Sequence, residues 1–262
     1  MMTIKEYKEL VKIASLAGQI MLESNAESYR VETTVEKILA TSQLPTVEVF
    51  ANTTGLFITL DGPTFQEPMS YIKRVTKRET HLSKIHAVNQ ISRDLTAGKI
   101  TLETAYQQLK AIRKATYSQR SSYLATILLV LSFAVLLGGD GMTFLLAILA
   151  SLLLVLTYYI RSFVFLNDFI FGIFTTTVVA GILSIFTAIV GARSQSLDIA
   201  IISVLMPLFP GTAFTNGFRD SFKGDYGAGV AKIVEALTIA ASLGVGVALG
   251  LFSAKGVFLL WQ

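Results

Sequence analysis

The spacing of hydrophobic positions divides this chain into two regions. Over residues 3–24, Tyr7, Leu10, Val11, Ala14, Ala17 and Met21 recur at steps of three and four, which stacks them on one face of a helix. Ser24-Asn25-Ala26-Glu27 predicts a turn followed by a capping box. A second helix then runs to about Leu39, with Val31, Val35 and Ile38 inward. Pro45 ends it, and over residues 46–60 the period falls to two: Val47 and Val49, then Leu56, Ile58 and Leu60. Asn52 to Gly55 makes this a hairpin, Asp61-Gly62-Pro63 is a further turn, and Tyr71 to Val75 is a third strand. Two amphipathic helices follow, one burying Leu82, Ile85 and Val88, the other Leu102, Ala105, Leu109 and Ile112. Gly98 separates them and Thr101 caps the second. Residues 1–120 are therefore expected to form a soluble α+β domain.

From Tyr123 the alternation gives way to continuous apolar runs. Residues 121–262 are expected to form a membrane bundle of about five transmembrane helices, near 122–138, 142–160, 169–192, 197–217 and 228–252. Charge follows the same division. Residues 1–120 hold 16 of the 22 Lys+Arg and 12 of the 18 Asp+Glu, so the second region keeps only 6 of each. In the first region Lys73, Arg74, Lys77 and Arg78 are followed by Glu79, the pattern of a solvated surface and not of a nucleic-acid groove. Met1 to Leu10 is charged and amphipathic, unlike a signal peptide, so the first domain is expected to stay in the cytoplasm. That orientation places Arg161, Arg219, Lys223 and Lys232 on the cytoplasmic side, against Arg193 and Lys255 outside, and puts the C-terminus outside. There is no cysteine and there are two histidines, His81 and His86. No metal site and no cofactor are expected from that set.

The fourth span carries the most chemistry. It contains Pro207-Leu208-Phe209-Pro210-Gly211, and two prolines remove two helix donors. Carbonyls freed in this way commonly line a cavity in transporters; a plain proline kink is the simpler alternative. Thr212, Thr215 and Asn216 follow at helical spacing, then Arg219, Asp220, Lys223 and Asp225. Apart from Lys223, which is read as pairing with a nearby carboxylate, these are candidates for binding substrate or coupling an ion, as are Pro207, Pro210 and Gly211, and pairing of Asp220 or Asp225 with a neighbouring cation is the competing explanation. Glu235 lies two turns inside the fifth span with Lys232 three residues before it, which suits a proton relay or a structural pair. Two spans show small residues at every fourth position: Gly172, Thr176, Ala180, Ser184, Ala188 and Ala192, and then Ala236, Ala240, Gly244 and Ala248. Such stripes let helices pack closely. No phosphate-binding loop and no nucleophile elbow is present. In the first domain Glu27, Arg30 and Glu32, with Asn89 and Arg93, form a possible cluster. Glu27 and Arg30 are three apart and most simply pair with each other.

The run from Ala17 to Glu32 (AGQIMLESNAESYRVE) resembles the opening signature of the threonine/serine exporter family. Val88-Asn89-Gln90-Ile91-Ser92-Arg93, then Gly98-Lys99-Ile100, is similar to the family as well. So are Pro210-Gly211 through Arg219-Asp220, Gly224-Asp225-Tyr226, Gly229 and Glu235-Ala236. Asn25 stands where the family's pattern has Gly, and Asn tolerates the left-handed conformation that such a turn needs. The resemblance implies a secondary exporter of small polar metabolites, threonine and serine or a dicarboxylate such as succinate. With about five spans, the chain resembles the larger subunit of the split form. That implies a second small membrane subunit, a hetero-oligomer or ring, and a place in the inner membrane. It implies no enzyme activity. A membrane-tethered sensor or assembly protein is the alternative, with the soluble domain carrying the function; a hydrolase built on Glu27, Arg30 and Glu32 is a third.

Overall fold

A computed structural model describes residues 2–63, 65–164 and 166–259. The C-terminal residues 260–262, which the charge pattern assigns to the outer side, lie outside them. Packing divides the chain into two compact units, Met1–Thr116 with Gly211–Val234, and Tyr117–Pro210 with Glu235–Gln262.

The first unit begins with α1 (Ile4–Glu23) and α2 (Ser28–Ala40). The capping box expected at Ser24–Glu27 is found instead at Thr3, whose Oγ1 accepts from the Glu6 amide at 3.3 Å while its own amide donates to Glu6 Oε2 at 2.6 Å. Ser24 is the C-cap of α1, and Glu27 opens α2 without a side-chain cap. The reason is Asn25, whose φ of 62° closes α1 in a Schellman turn. Its amide donates to Leu22 O at 3.1 Å and that of Ala26 to Met21 O at 3.0 Å.

Strands β1 (Thr46–Ala51), β2 (Gly55–Asp61) and β3 (Met69–Arg74) form an antiparallel sheet in the order β1-β2-β3, as the period-two pattern predicts. Val49 lies opposite Ile58, and Ile58 opposite Tyr71. Leu56, Ile58 and Leu60 are buried against α1 and α2 together with Leu10, Ile20, Met21 and Ile38. Full burial of each such side chain contributes about 1.5–3 kcal/mol. Gly18 permits the approach, since a Cβ there would sit 2.6 Å from Leu56 Cδ2 and 2.8 Å from Val35 Cγ2. The other face of the sheet leaves Phe50, Phe57 and Ile72 exposed. Helices α3 (Leu82–Thr96) and α4 (Leu102–Lys114) complete the domain, and Thr101 caps α4 as expected, accepting from the Thr104 amide at 3.2 Å.

The apolar region holds α5 (Gln119–Leu136), α6 (Gly141–Arg161), α7 (Asp168–Val190), α8 (Ser194–Leu205), α9 (Gly211–Phe222) and α10 (Tyr226–Leu259). Four of these, α5, α6, α7 and α10, are long and apolar enough to cross a membrane. The region expected as an interrupted span over 197–217 is divided at its prolines. α8 has 12 residues, α9 another 12, and Met206–Pro210 separates them, because Pro207 and Pro210 cannot donate into a continuous ladder.

In the second unit Val130, Leu146, Ala150, Leu154, Val179, Leu183 and Ile201 form the core. Asp140 caps α6 through the Thr143 amide at 2.8 Å and accepts from Ser196 Oγ of α8 at 3.2 Å. The Thr143 amide and hydroxyl, then Ser196 and Arg193, hold its carboxyl below the ordinary aspartate range. α7 meets α10 along its predicted stripe. Thr176 Oγ1 donates to Leu243 O and Thr177 Oγ1 to Gly246 O, both at 3.1 Å. On α10, however, the contact row is Ser242, Gly246 and Gly250, two residues along from the expected Ala240, Gly244 and Ala248. A Cβ on Gly250 would lie 2.5 Å from Thr177 O, whereas one on Gly244 would meet nothing within 4 Å. α10 carries two rows of small residues half a turn apart, and only the row beside the Thr176 and Thr177 hydroxyls is used.

Candidate functional site

The site lies wholly within the first unit, where the α9–α10 hairpin meets the α1–α2 turn. α9 closes on Gly224, at φ +88°, with the Gly224 amide donating to Ser221 O and the Asp225 amide to Asp220 O, both at 3.0 Å. Asp225 then caps α10, accepting from the Ala228 amide at 3.0 Å. The two helices touch backbone to backbone: a Cβ on Gly217 would lie 3.0 Å from Gly229 O and 2.8 Å from Ile233 Cγ1. No larger residue at either glycine would let α9 and α10 approach this closely.

That approach sets Asp220 against Lys232. The Lys232 ammonium lies 2.5 Å from Asp220 Oδ2, with Asp220 0% and Lys232 4% exposed. Lys232 Nζ also donates to Ala26 O at 3.4 Å and Ser28 Oγ at 3.5 Å, and Ser28 Oγ donates to Asp220 Oδ2 at 3.4 Å. Asp220 Oδ1 is buried without a hydrogen-bond partner. A charge pair this far from water is held by its own attraction and by the hydrogen bonds around it; either member alone would be strongly unfavourable.

A second pair flanks the first. Arg219 Nη1 donates to Glu27 Oε1, and Arg30 Nε lies 3.7 Å from Glu27 Oε2. Glu27 is buried, and its Oε2 has no hydrogen bond. Arg219 remains about half exposed. Its hydrogen bond to Glu27 raises the guanidinium pKa further, so Arg219 stays cationic throughout. Burial, then the Glu27 carboxylate, pushes the Tyr29 phenol above its usual value, and the Lys223 ammonium lies 5.2 Å from the centroid of that ring. Neutral bonds complete the contact. Asn216 Nδ2 donates to Asn25 O at 2.8 Å, Asn25 Nδ2 donates to Thr80 Oγ1 at 3.2 Å, and Thr80 Oγ1 lies 3.1 Å from Thr212 Oγ1.

Among known families, one described as putative threonine/serine exporters matches residues 12–253. The chain belongs to the threonine/serine exporter family. No curated protein and no solved structure matches it. The matched stretch contains both halves of the site, the α1–α2 turn and the α9–α10 hairpin. It also contains α5, α6 and α7 and nearly all of the membrane-crossing part of α10, so this exporter-family member is a multi-pass membrane protein.

Several of the sequence candidates come together in this family member, and others do not. Arg219 of α9 meets Glu27 and, through it, Arg30, while Asn216 meets Asn25 and Asp220 meets Ser28 and Lys232. Thr212 joins through Thr80. Thr215 Oγ1 instead donates to Gly211 O of its own helix at 2.9 Å, and Asp225 serves as a helix cap. Pro207 and Pro210 lie between α8 and α9, with Gly211 the first residue of α9. Glu235 is half-buried on α10, three residues beyond Lys232. In the first domain Glu32 turns away from Glu27 and accepts from the Ala51 amide at 2.8 Å, tying α2 to β1. Burial, with Asp225, Glu36 and Asp220 adding to it, raises the Glu32 pKa against the lowering effect of the Ala51 amide. Asn89 Oδ1 accepts from Thr34 Oγ1 at 3.3 Å, which joins α3 to α2, and Arg93 is exposed on α3. No group of His, Cys, Asp and Glu side chains able to hold a metal occurs among the described residues.

Sequence reasoning did not place Lys232, Ser28 and Tyr29 at the site. For Lys232 a signal existed. It is one of two lysines on a largely apolar helix, and the one twelve residues after Asp220, with Gly224 between them. A tight turn at that glycine folds the two charges together.

Proposed function

We propose that this chain is a subunit of a secondary exporter for a small polar metabolite, threonine or serine or a dicarboxylate such as succinate. It works with a second small membrane subunit, in a hetero-oligomer or ring, in the inner membrane with the α+β domain in the cytoplasm. The observation that carries the reading is the pair of acid–base contacts, Asp220–Lys232 and Glu27–Arg219, on the helices that follow the Pro207–Pro210 break.

The two pairs suit different tasks. Arg219 is half exposed, and its planar fork of donors matches a carboxylate. A substrate carboxylate can take the place of Glu27 on Arg219, so that binding substrate releases Glu27. Asp220 and Lys232 are sealed from water and suit the coupling step. A proton on Asp220 cancels its attraction for Lys232 and leaves the ammonium held only by Ala26 O and Ser28 Oγ. Protonation thereby loosens the α9–α10 crossing and weakens the Ser28 contact that docks α9 on the α1–α2 turn. Glu235, the next ionisable group along α10, is the alternative carrier of the coupled proton. Thr212 and Asn216 keep the hairpin seated between cycles.

Proteoliposomes holding this chain, with and without its candidate partner, are loaded with labelled threonine, serine or succinate and given a proton gradient. The expected result is gradient-dependent efflux of one compound, lost at least about tenfold in Arg219→Lys, which keeps the charge but not the fork. Efflux of none of the three, with both chains in the membrane, would overturn the reading. Gradient-dependent efflux unchanged in Glu235→Gln would remove Glu235 from the relay. The sensor or assembly reading draws support from the α1–α2 turn, which grips both helices of the hairpin. Efflux that survives deletion of residues 1–115 would separate the domain from transport and favour that reading.

A further inference from the structure

One side of the α9–α10 hairpin is occupied by the α1–α2 turn, through Asn216, Asp220 and Lys232. The opposite side is apolar and exposed. On α9, Phe214, Phe218 and Phe222 stand at four-residue steps, with ring centroids 5.0 Å and 6.3 Å apart. Phe218 is 43% and Phe222 86% exposed. On α10 the same step gives Tyr226, Val230 and Val234, all more than half exposed. Phe214, Phe218 and Phe222 lie about half a turn from Asn216 or Asp220, and Val230 and Val234 about half a turn from Lys232, so each helix turns one polar and one apolar face.

Such a face is costly in water, since burying one of these large side chains is worth about 1.5–3 kcal/mol. The surroundings name its cover. The hairpin runs without interruption into the membrane-crossing part of α10, and Phe222 precedes the first residue of that helix by four positions. The acids nearest the face are engaged elsewhere, Asp220 by Lys232 and Asp225 as a cap, and Lys223 at its edge, over the Tyr29 ring but exposed, adds positive charge that suits an anionic headgroup. Aromatic rings on one face of a helix beside basic residues are the composition of the headgroup–acyl boundary.

We propose that Phe214, Phe218, Phe222, Tyr226, Val230 and Val234 form a lipid-contacting surface that seats the α9–α10 hairpin in the boundary layer of the bilayer, with phospholipid as its occupant. This surface is separate from the exporter reading and holds whichever metabolite is moved.

The test uses the full chain in phosphatidylcholine–phosphatidylglycerol vesicles. Trp261 is the one tryptophan, so Phe222→Trp in a Trp261→Phe background reports from this face alone. The expected result is quenching several-fold stronger by lipid brominated near the carbonyl end of its chains than by lipid brominated near the methyl end, with little quenching by aqueous iodide. Iodide quenching without bromolipid quenching would show a water-facing surface and overturn the proposal. So would protection from both, which means a protein partner, and strongest quenching by the deep label, which means a position in the bilayer interior. If the tryptophan variant does not fold, Phe222→Cys gives a single labelling position in this cysteine-free chain. A nitroxide there is expected to be far more accessible to dissolved oxygen than to a water-soluble nickel complex; the reverse order overturns the proposal.

Discussion

Helix α10 makes two close crossings by different means. Its first turns meet α9 at Gly217 and Gly229, and the crossing is locked by charge, with Asp220 on Lys232. Farther along it meets α7 at Gly246 and Gly250, where Thr176 and Thr177 hydroxyls donate to backbone carbonyls and no charge is involved. Glycine permits both approaches. The difference lies in what can undo them. A proton or a competing ion can release the first crossing, whereas the second answers only to shape. The charge-locked contact belongs to the end of α10 that carries the polar site, and the shape-locked contact to the other.

The largest test of this contrast removes one charge. Lys232→Met leaves Asp220 ionised and buried, and is expected to cost about 3–5 kcal/mol in denaturant unfolding of the detergent-solubilised protein. Adding Asp220→Asn should recover most of that loss. Equal damage from the single and double variants would mean that the crossing depends on packing alone. At the second crossing, Gly250→Val is expected to cost about 1–3 kcal/mol by forcing α7 and α10 apart. Gly244→Ala, which faces open space, should be neutral or stabilising by up to about 1 kcal/mol from helix propensity. A comparable loss at Gly244 would show that the unused row of small residues is the true contact.

The smallest effect concerns Glu32 beside the charged site. Its folded pKa is raised, so the stability linked to it is fully present below its unfolded pKa and lost as pH rises through the folded one. Glu32→Gln keeps an acceptor for the Ala51 amide and carries no charge. Melting curves should show this variant more stable than the parent at neutral pH, with the gap closing as pH falls through the Glu32 titration. A gap that does not change with pH would place its origin outside ionisation.

Much of the fold could be read from local spacing. The period-two run of 46–60 became β1 and β2, and the steps of three and four became α1 to α4, because each pattern reports which face a regular element buries. Asn25 was legible for the same reason, since a left-handed turn needs a particular residue. The break between α8 and α9 was legible from Pro207 and Pro210, but the packing of the polar residues beyond it was not, because on sequence alone they resemble a pore lining. Arg219, Asp220 and Glu27 each stood out as candidates, but the pairing of Arg219 with Glu27 and of Asp220 with Lys232 did not. Glu27 is 192 positions from Arg219. Only the packed tertiary structure brings them together. The row that α10 uses against α7 was undetermined for a related reason. Two equivalent rows of small residues exist, and the choice rests on where another helix lies.

The length of α10 has a consequence for the charges it carries. At 1.5 Å per residue its 34 residues extend about 51 Å, against a hydrocarbon layer of about 30 Å. From Glu235 to Leu259 alone the helix runs about 36 Å, enough to cross that layer with some tilt. Lys232 and Glu235 can therefore both lie in the wetter boundary zone while the remainder of the helix fills the oil. Both ionisable groups precede the apolar stretch that crosses the layer, so neither has to bear the solvation cost of the bilayer midplane.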